Sequence, residues 1–308
     1  MAVFENHAGI TITNSKLQIV EIARKNDRFI LNNIDEAYFS ETLNFHTDKE
    51  TKISALIQGA LNELLIKKTL TASSVSFTIP FEFLYTMQIP FESTLLYNDL
   101  IEEFRWELSL LYPFINADDL VIQFFEIDKN EFSDINSTLI LSTTRKYLKM
   151  LSDICTNNNL KLKFVDNIHI ASEKALEVNN SFTDKKLTLS VYINSKNLSV
   201  LFELKGKLIY YKSIPIYSVR EISEHLKKEI NFNKILNISP SSIDTAFIFG
   251  DEINQQVAKS ISDDIGIQFI QFNPFGRIVP GQNLFNNIYY TTKFNLFAPS
   301  AGIAYRLT

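Results

Sequence analysis

Three carboxylates, Glu102, Glu103 and Glu107, crowd one short segment, and paired carboxylates are one arrangement that can serve general acid–base chemistry. The segment reads as a helix, on which neighbours such as Glu102 and Glu103 point in different directions, so the trio reads as a solvated face. His7, His46, His169 and His225 stand apart, without the short spacings of a metal site, and read as surface or core histidines. Cys155, the only cysteine, falls on an apolar helical face and reads as an inert core thiol. It excludes an internal disulfide, which fits a reducing cytosol. There is no Gly-rich P-loop, no Gly-x-Ser-x-Gly and no Cys-x-x-Cys. Trp106, the lone tryptophan, lies with Arg105, Tyr112, Pro113 and Phe114 at the end of the same helix. Core packing is one reading of this cluster. The other is a docking surface, since aromatic rings beside an arginine make good interface anchors.

The elements that position these residues come from a chain of 308 residues, a length that suits two lobes. Apolar residues make up 45%, enough for a sizeable core, but Gly and Pro number only 8 each. Few glycines leave few left-handed backbone positions, on which many phosphate loops depend. The net charge of −5, with basic residues dispersed, argues against nucleic-acid binding. The first residues carry no basic-then-apolar leader, and no run approaches the ~20 apolar residues of a membrane span. With no basic amphipathic helix at the end of the chain, any membrane role is expected to run through a partner.

Alternating apolar residues predict strands over 9–13, 17–23 and 28–38, followed by a helix over 52–67 and a strand over 74–79. A different block follows. It comprises a strand over 84–89 between two Pro-Phe corners, a helix over 97–111 that stops before Pro113, and strands over 120–127 and 138–142. Helices over 146–156 and 168–178 flank a strand over 160–165. The polar run 179–186 reads as a linker. Three strands, 187–193, 198–204 and 207–215, then lead to a helix carrying Val219, Ile222, Leu226 and Ile230. A strand over 245–249 comes next. The strand–strand–strand–helix pattern thus repeats after roughly 180 residues, which predicts two copies of one lobe. The expected organisation is 1–79 and 144–180 as the first lobe, 80–143 as an α+β insertion in it, and 181–308 as the second lobe.

Two such lobes describe the actin-like, ribonuclease H-like fold of the actin, sugar-kinase and Hsp70 superfamily. Within it, the opening Gly9-Ile10-Thr11-Ile12-Thr13-Asn14-Ser15, running on to Glu21-Ile22, resembles the first phosphate segment of the FtsA/PilM superfamily, and of PilM in particular. Ile101-Glu102-Glu103-Phe104-Arg105-Trp106-Glu107, followed by Tyr112-Pro113-Phe114, resembles the PilM pattern Ile-Arg-Trp-Glu and Tyr-Ile-Pro-Phe, and is the most specific match. Three further stretches agree in order: the strand ending Ser142-Thr143-Thr144-Arg145-Lys146, then Asn273-Pro274-Phe275, then the closing Ala301-Gly302-Ile303-Ala304-Tyr305-Arg306. The resemblance spans nearly the whole chain.

It implies an α/β fold with an inserted subdomain in the first lobe and, because 216–244 is short, a reduced subdomain in the second. It also implies where a nucleotide would sit. The family's magnesium-holding Asp and its Gly correspond to Thr11 and Thr13, and its nearby Lys to Gln18. A threonine forced into a glycine's left-handed conformation would be strained by ~1–3 kcal/mol. The second hairpin reads Tyr192-Ile193-Asn194-Ser195-Lys196 where the family has Asp-Ile-Gly. The adenosine loop reads Phe249-Gly250-Asp251 where it has a Gly pair. We therefore expect no ATP hydrolysis, no cofactor, no metal and no enzyme activity. The competing expectation is that Asn14, Ser15, Asn194, Ser195 and Lys196 still hold a nucleotide, in a divergent ATPase that binds Mg-ATP and switches or polymerises. In function, the resemblance implies a cytoplasmic scaffold of a type IV pilus or related secretion machine. Such a protein binds the cytoplasmic N-terminal tail of a PilN-like inner-membrane partner and couples it to an assembly ATPase. Self-association is left open. A GspL-like secretion protein is a third reading, which the lack of a membrane span disfavours. Phe81, Phe83, Tyr85, Arg105, Trp106, Tyr112 and Phe114 are the expected partner-binding residues.

Overall fold

The computed structural model describes residues 6–25, 28–45, 47–91, 95–179, 187–218, 220–251 and 253–307. The chain opens with strands β1 (His7–Ile12), β2 (Lys16–Lys25) and β3 (Arg28–Tyr38), helix α1 (Glu50–Lys67) and β4 (Ser74–Ile79). Next come β5 (Tyr85–Pro90), α2 (Tyr97–Leu111), β6 (Leu120–Ile127), β7 (Ser137–Thr144), α3 (Arg145–Asn157), β8 (Lys161–Asn167) and α4 (Ile168–Asn179). The second half holds β9 (Leu187–Ile193), β10 (Asn197–Leu204), β11 (Lys207–Pro215), α5 (Arg220–Asn231), β12 (Ile243–Gly250) and α6 (Gln255–Ile265). It closes with β13 (Phe269–Gln271), β14 (Val279–Pro280), α7 (Ile288–Thr291) and α8 (Ala298–Ala304).

The contacts divide the chain into two compact units, Met1–Phe83 with Tyr147–Ser181 and Phe272–Thr308, and Leu84–Lys146 with Phe182–Gln271. The first unit is built on a sheet of order β14-β3-β2-β1-β4-β8. Its central strand β1 runs antiparallel to β2 and parallel to β4, so the sheet is mixed. The second unit holds a sheet of order β11-β10-β9-β12-β13, in which β9 is antiparallel to β10 and parallel to β12. Strand for strand, β3-β2-β1-β4-β8 matches β11-β10-β9-β12-β13, and α1 and α5 occupy the same step in each. The repeat expected from the sequence is therefore present. Strands β1, β4 and β9 are buried at every position, as strands covered on both faces must be.

A three-stranded sheet, β5-β7-β6, interrupts the first repeat between β4 and β8. Leu100, Phe104 and Leu108 of α2, at i, i+4 and i+8, pack on it with Phe91, Leu120 and Ile140. Its contacts, however, group it with the second repeat. The Gln88 side chain donates to the Ile209 carbonyl at 3.1 Å and accepts from the Tyr211 N–H at 3.3 Å, capping the edge of β11. A second difference from the expected boundaries lies at the end of the chain. Residues from Phe272 onward return to the first unit, because α8 packs on α4 and β1. Residues 180–186 of the expected linker lie outside the described residues.

Candidate functional site

Strand β1 delivers the first polar loop. The Thr11 hydroxyl is buried and accepts from Thr78 Oγ1 at 2.9 Å and from Ser300 Oγ at 2.7 Å. Thr13 does not take a left-handed conformation, since only Asn159 and Lys205 do so among the described non-glycine residues. The strain expected at this position is absent. Thr13 Oγ1 instead closes the β1–β2 turn, accepting from the Lys16 N–H at 3.1 Å while the hydroxyl donates to the Lys16 carbonyl. The carbonyls of Asn14 and Ser15 accept from Leu43 N–H at 2.7 Å and Phe39 N–H at 2.8 Å. Lys16 Nζ lies 2.9 Å from Glu36, which also accepts from Gln18 and Tyr38. Gln18 thus serves this buried carboxylate.

The second hairpin is closed differently. Asn194 Oδ1 accepts from the N–H groups of Lys196 at 2.9 Å and Asn197 at 2.7 Å, an Asx turn that leaves Ser195 and Lys196 exposed. Gly250, at the end of β12, has φ +126, and a Cβ there would lie 1.9 Å from the Ile193 carbonyl oxygen. Only glycine allows this approach. The Asp251 N–H then donates to the same carbonyl at 3.0 Å. Thr11, Thr13, Asn14 and Ser15 belong to the first unit, and Asn194, Ser195, Lys196, Gly250 and Asp251 to the second.

The aromatic cluster also divides. Phe81 and Phe83 are buried in the first unit, where Phe83 stacks 4.5 Å from Phe45 and 3.9 Å from Tyr147. Their apolar area is consumed by that core, which removes them from the expected docking surface. Tyr85 and Tyr112 are half-buried with ring centroids 5.0 Å apart, and the Tyr112 hydroxyl donates to the Thr86 carbonyl. Trp106 and Phe114 are 59% and 75% exposed, beside exposed Leu110 and Leu111. This excludes the core reading of Trp106. Arg105 is paired with Glu102 at 2.6 Å. A cavity of 500 Å³ on the other flank of α2, lined by Phe91, Leu95, Glu103, Phe104 and Ile135, had no sequence signal.

Of the remaining candidates, His7, His169 and Cys155 are buried. His7 is buried, with its ring nitrogens on the Ala304 carbonyl and Ser76 Oγ, and burial lowers its pKa. His169 is buried beside Glu173, and His46 lies outside the described residues. Burial pushes the Cys155 thiol up to about 12, which makes it unreactive at neutral pH. Among the described residues no three His, Cys, Asp or Glu side chains gather as a metal site. Nor is any described helix long and apolar enough to cross a membrane.

No family model and no curated protein sequence matches the chain. Solved structures do. The chain is similar to one from a PilM–PilN type IV pilus biogenesis complex, with a TM-score of 0.76 and 15% identity over 100% of this chain and 99% of the other. It is also similar to a Bacteroides thetaiotaomicron protein of actin-like ATPase fold and unknown function, at 0.51 and 12%, over 92% and 93%. A third likeness is to the ethanolamine utilization protein EutJ of Carboxydothermus hydrogenoformans, at 0.50 and 8%, over 99% and 90%. The actin-like fold and the PilM-like architecture read from the sequence both stand.

Proposed function

We propose that this chain is a cytoplasmic scaffold of a type IV pilus or related secretion machine. It binds the cytoplasmic tail of a PilN-like membrane protein and does not hydrolyse ATP. The observation that carries this reading is the full-length similarity to a chain of a PilM–PilN complex. The exposed Trp106 and Leu110, one helical turn apart on α2, with exposed Leu111 and Phe114 following, support it, because apolar side chains gathered on a surface mark interaction sites.

The nucleotide half of the reading is supported by how the loops use their polar atoms. Thr11, Thr13 and Asn194 spend their side chains on internal hydrogen bonds, and position 11 carries a hydroxyl and not an acid. A melting experiment tests it. Millimolar Mg-ATP bound at ~10 μM would add about 2.7 kcal/mol. We expect no shift in melting temperature. A shift of several degrees, or phosphate release above a blank, would favour a divergent ATPase.

The docking half is tested with synthetic peptides covering the N-terminal tail of the PilN-like protein of the same organism. Titration should show saturable binding. Trp106→Ala and Phe114→Ala should each weaken it about tenfold or more, as truncation of an aromatic anchor does. Because both rings are exposed, melting temperatures should stay within about 1 °C of the parent. Unaltered binding would move the docking site elsewhere, and loss of folding would make the rings structural.

A further inference from the structure

The two edges of the sheet β5-β7-β6 are treated very differently. On the β5 side, Pro90 ends the strand and Gln88 is bonded to the main chain of β11. Strand β6, on the other side, has no neighbouring strand among the described residues. Exposed edges are normally guarded by proline, lysine or a bulge. Leu120–Ile127 reads Leu-Val-Ile-Gln-Phe-Phe-Glu-Ile. It has no proline and no lysine, its only charge is Glu126, and its pairing with β7 runs without a bulge.

Which main-chain groups of β6 face outward follows from one contact. Thr138 Oγ1 donates to the Phe125 carbonyl at 3.2 Å, so that carbonyl faces β7. In an antiparallel ladder a residue's N–H and C=O point to the same side, and successive residues alternate. Ile122, Phe124 and Glu126 therefore present their main-chain groups outward. Among the described residues, nothing bonds them there.

We infer that β6 is a self-pairing edge, on which a second copy of this chain lays its own β6 antiparallel and joins two three-stranded sheets into one. The occupant and its register follow from parity and charge. Outward residues must face outward residues, so the two-fold axis passes through a residue and not between two. Centred on Ile122, the pairing sets Glu126 against Asp118. Centred on Gln123, it sets Asp118 against Asp128. Centred on Phe124, it sets Phe124 against Phe124, Glu126 against Ile122, and exposed Lys129 against exposed Asp119, twice by symmetry. This last register brings opposite charges together at both ends and like charges nowhere along the strand. Asp119 also accepts from Asn116 Nδ2 at 3.2 Å, which leaves its second oxygen for the lysine. This pairing uses neither Trp106 nor Phe114 and needs no membrane partner.

Sedimentation of the full chain across a wide concentration range tests the inference. A monomer–dimer equilibrium is expected. Glu126→Pro removes an outward N–H without touching the β7 ladder. It should weaken the dimer by at least about tenfold, since two hydrogen bonds are lost by symmetry. Asp119→Lys and Lys129→Asp should each weaken it about tenfold, and the double variant should restore the parental equilibrium. A chain that stays monomeric at every concentration, or a dimer indifferent to Glu126→Pro, overturns the proposal. A double variant no better than either single overturns this register, and it decides alone if Glu126→Pro does not fold.

Discussion

Gly302→Ala is expected to destabilise the protein by at least about 4 kcal/mol, enough to lower its melting temperature by about 10 °C or to prevent folding. Helix α8 is made almost wholly of small residues, Ala-Pro-Ser-Ala-Gly-Ile-Ala, and every one is buried. A Cβ on Gly302 would sit 1.9 Å from the Ala171 carbonyl oxygen and 2.9 Å from Ser172 Cα, both main-chain atoms of α4 that cannot swing aside. On the opposite side, a Cβ on Gly9 would meet the Ser300 carbonyl at 2.0 Å. Two glycines thus let one helix lie against both β1 and α4. This contact also fixes the end of β1, because Ser300 on the same helix bonds Thr11. Gly59→Ala is the control. Nothing lies within 4 Å of its would-be Cβ in the middle of α1, so alanine there should stabilise by roughly 0.5–1 kcal/mol through helix propensity. Thermal unfolding of both variants checks the pair. A Gly302→Ala protein melting within a few degrees of its parent would mean that α4 and α8 can separate at little cost.

The sequence shows the scaffold better than it shows the site, for reasons visible in particular residues. Strands β3, β4, β9 and β11 begin and end where alternation predicts, and α2 does where its 3.6-residue period predicts. Strand β1 begins earlier than read, at His7, because a buried, doubly bonded histidine looks polar in a pattern of apolar residues. Helix α6 carried a signal that could have been used: Asn254 caps its start and Gly266, at φ +77, ends it. Helix α8 carried none, since small residues have no amphipathic period. The same holds for the bond between Thr11 and Ser300, which joins the two ends of the chain. The exposure of Trp106 was within reach. Once Leu100, Phe104 and Leu108 are placed inward, position 106 must lie on the other side of the helix.

Lys16→Met should cost about 3–5 kcal/mol, the usual consequence of removing one partner from a buried ion pair. The Glu36 side chain is only 2% exposed, and Lys16 Nζ, Gln18 Nε2 and the Tyr38 hydroxyl all converge on its carboxylate. Burial alone would raise the Glu36 pKa. The hydrogen bond and charge of Lys16, with smaller contributions from Tyr38 and Gln18, outweigh it and hold the pKa below the ordinary 4.5. A carboxylate whose folded pKa is depressed contributes stability above its unfolded pKa and loses it as pH falls through the folded value. The parent should therefore lose this contribution below about pH 4.5. Without Lys16, burial dominates and the carboxyl prefers its proton, so the variant is penalised above that pH and relieved below it. The stability gap between parent and variant should be widest near neutrality and narrow steadily on acidification. Adding Glu36→Gln to Lys16→Met removes the stranded charge, and should return more than half of the loss at pH 7 while flattening the pH dependence. Denaturant titrations from pH 7 to pH 4 measure all of this. A Lys16→Met protein whose deficit is small, or is the same at both ends of that range, would show that water reaches Glu36 and that the pairing of β2 with β3 is not anchored by this pair.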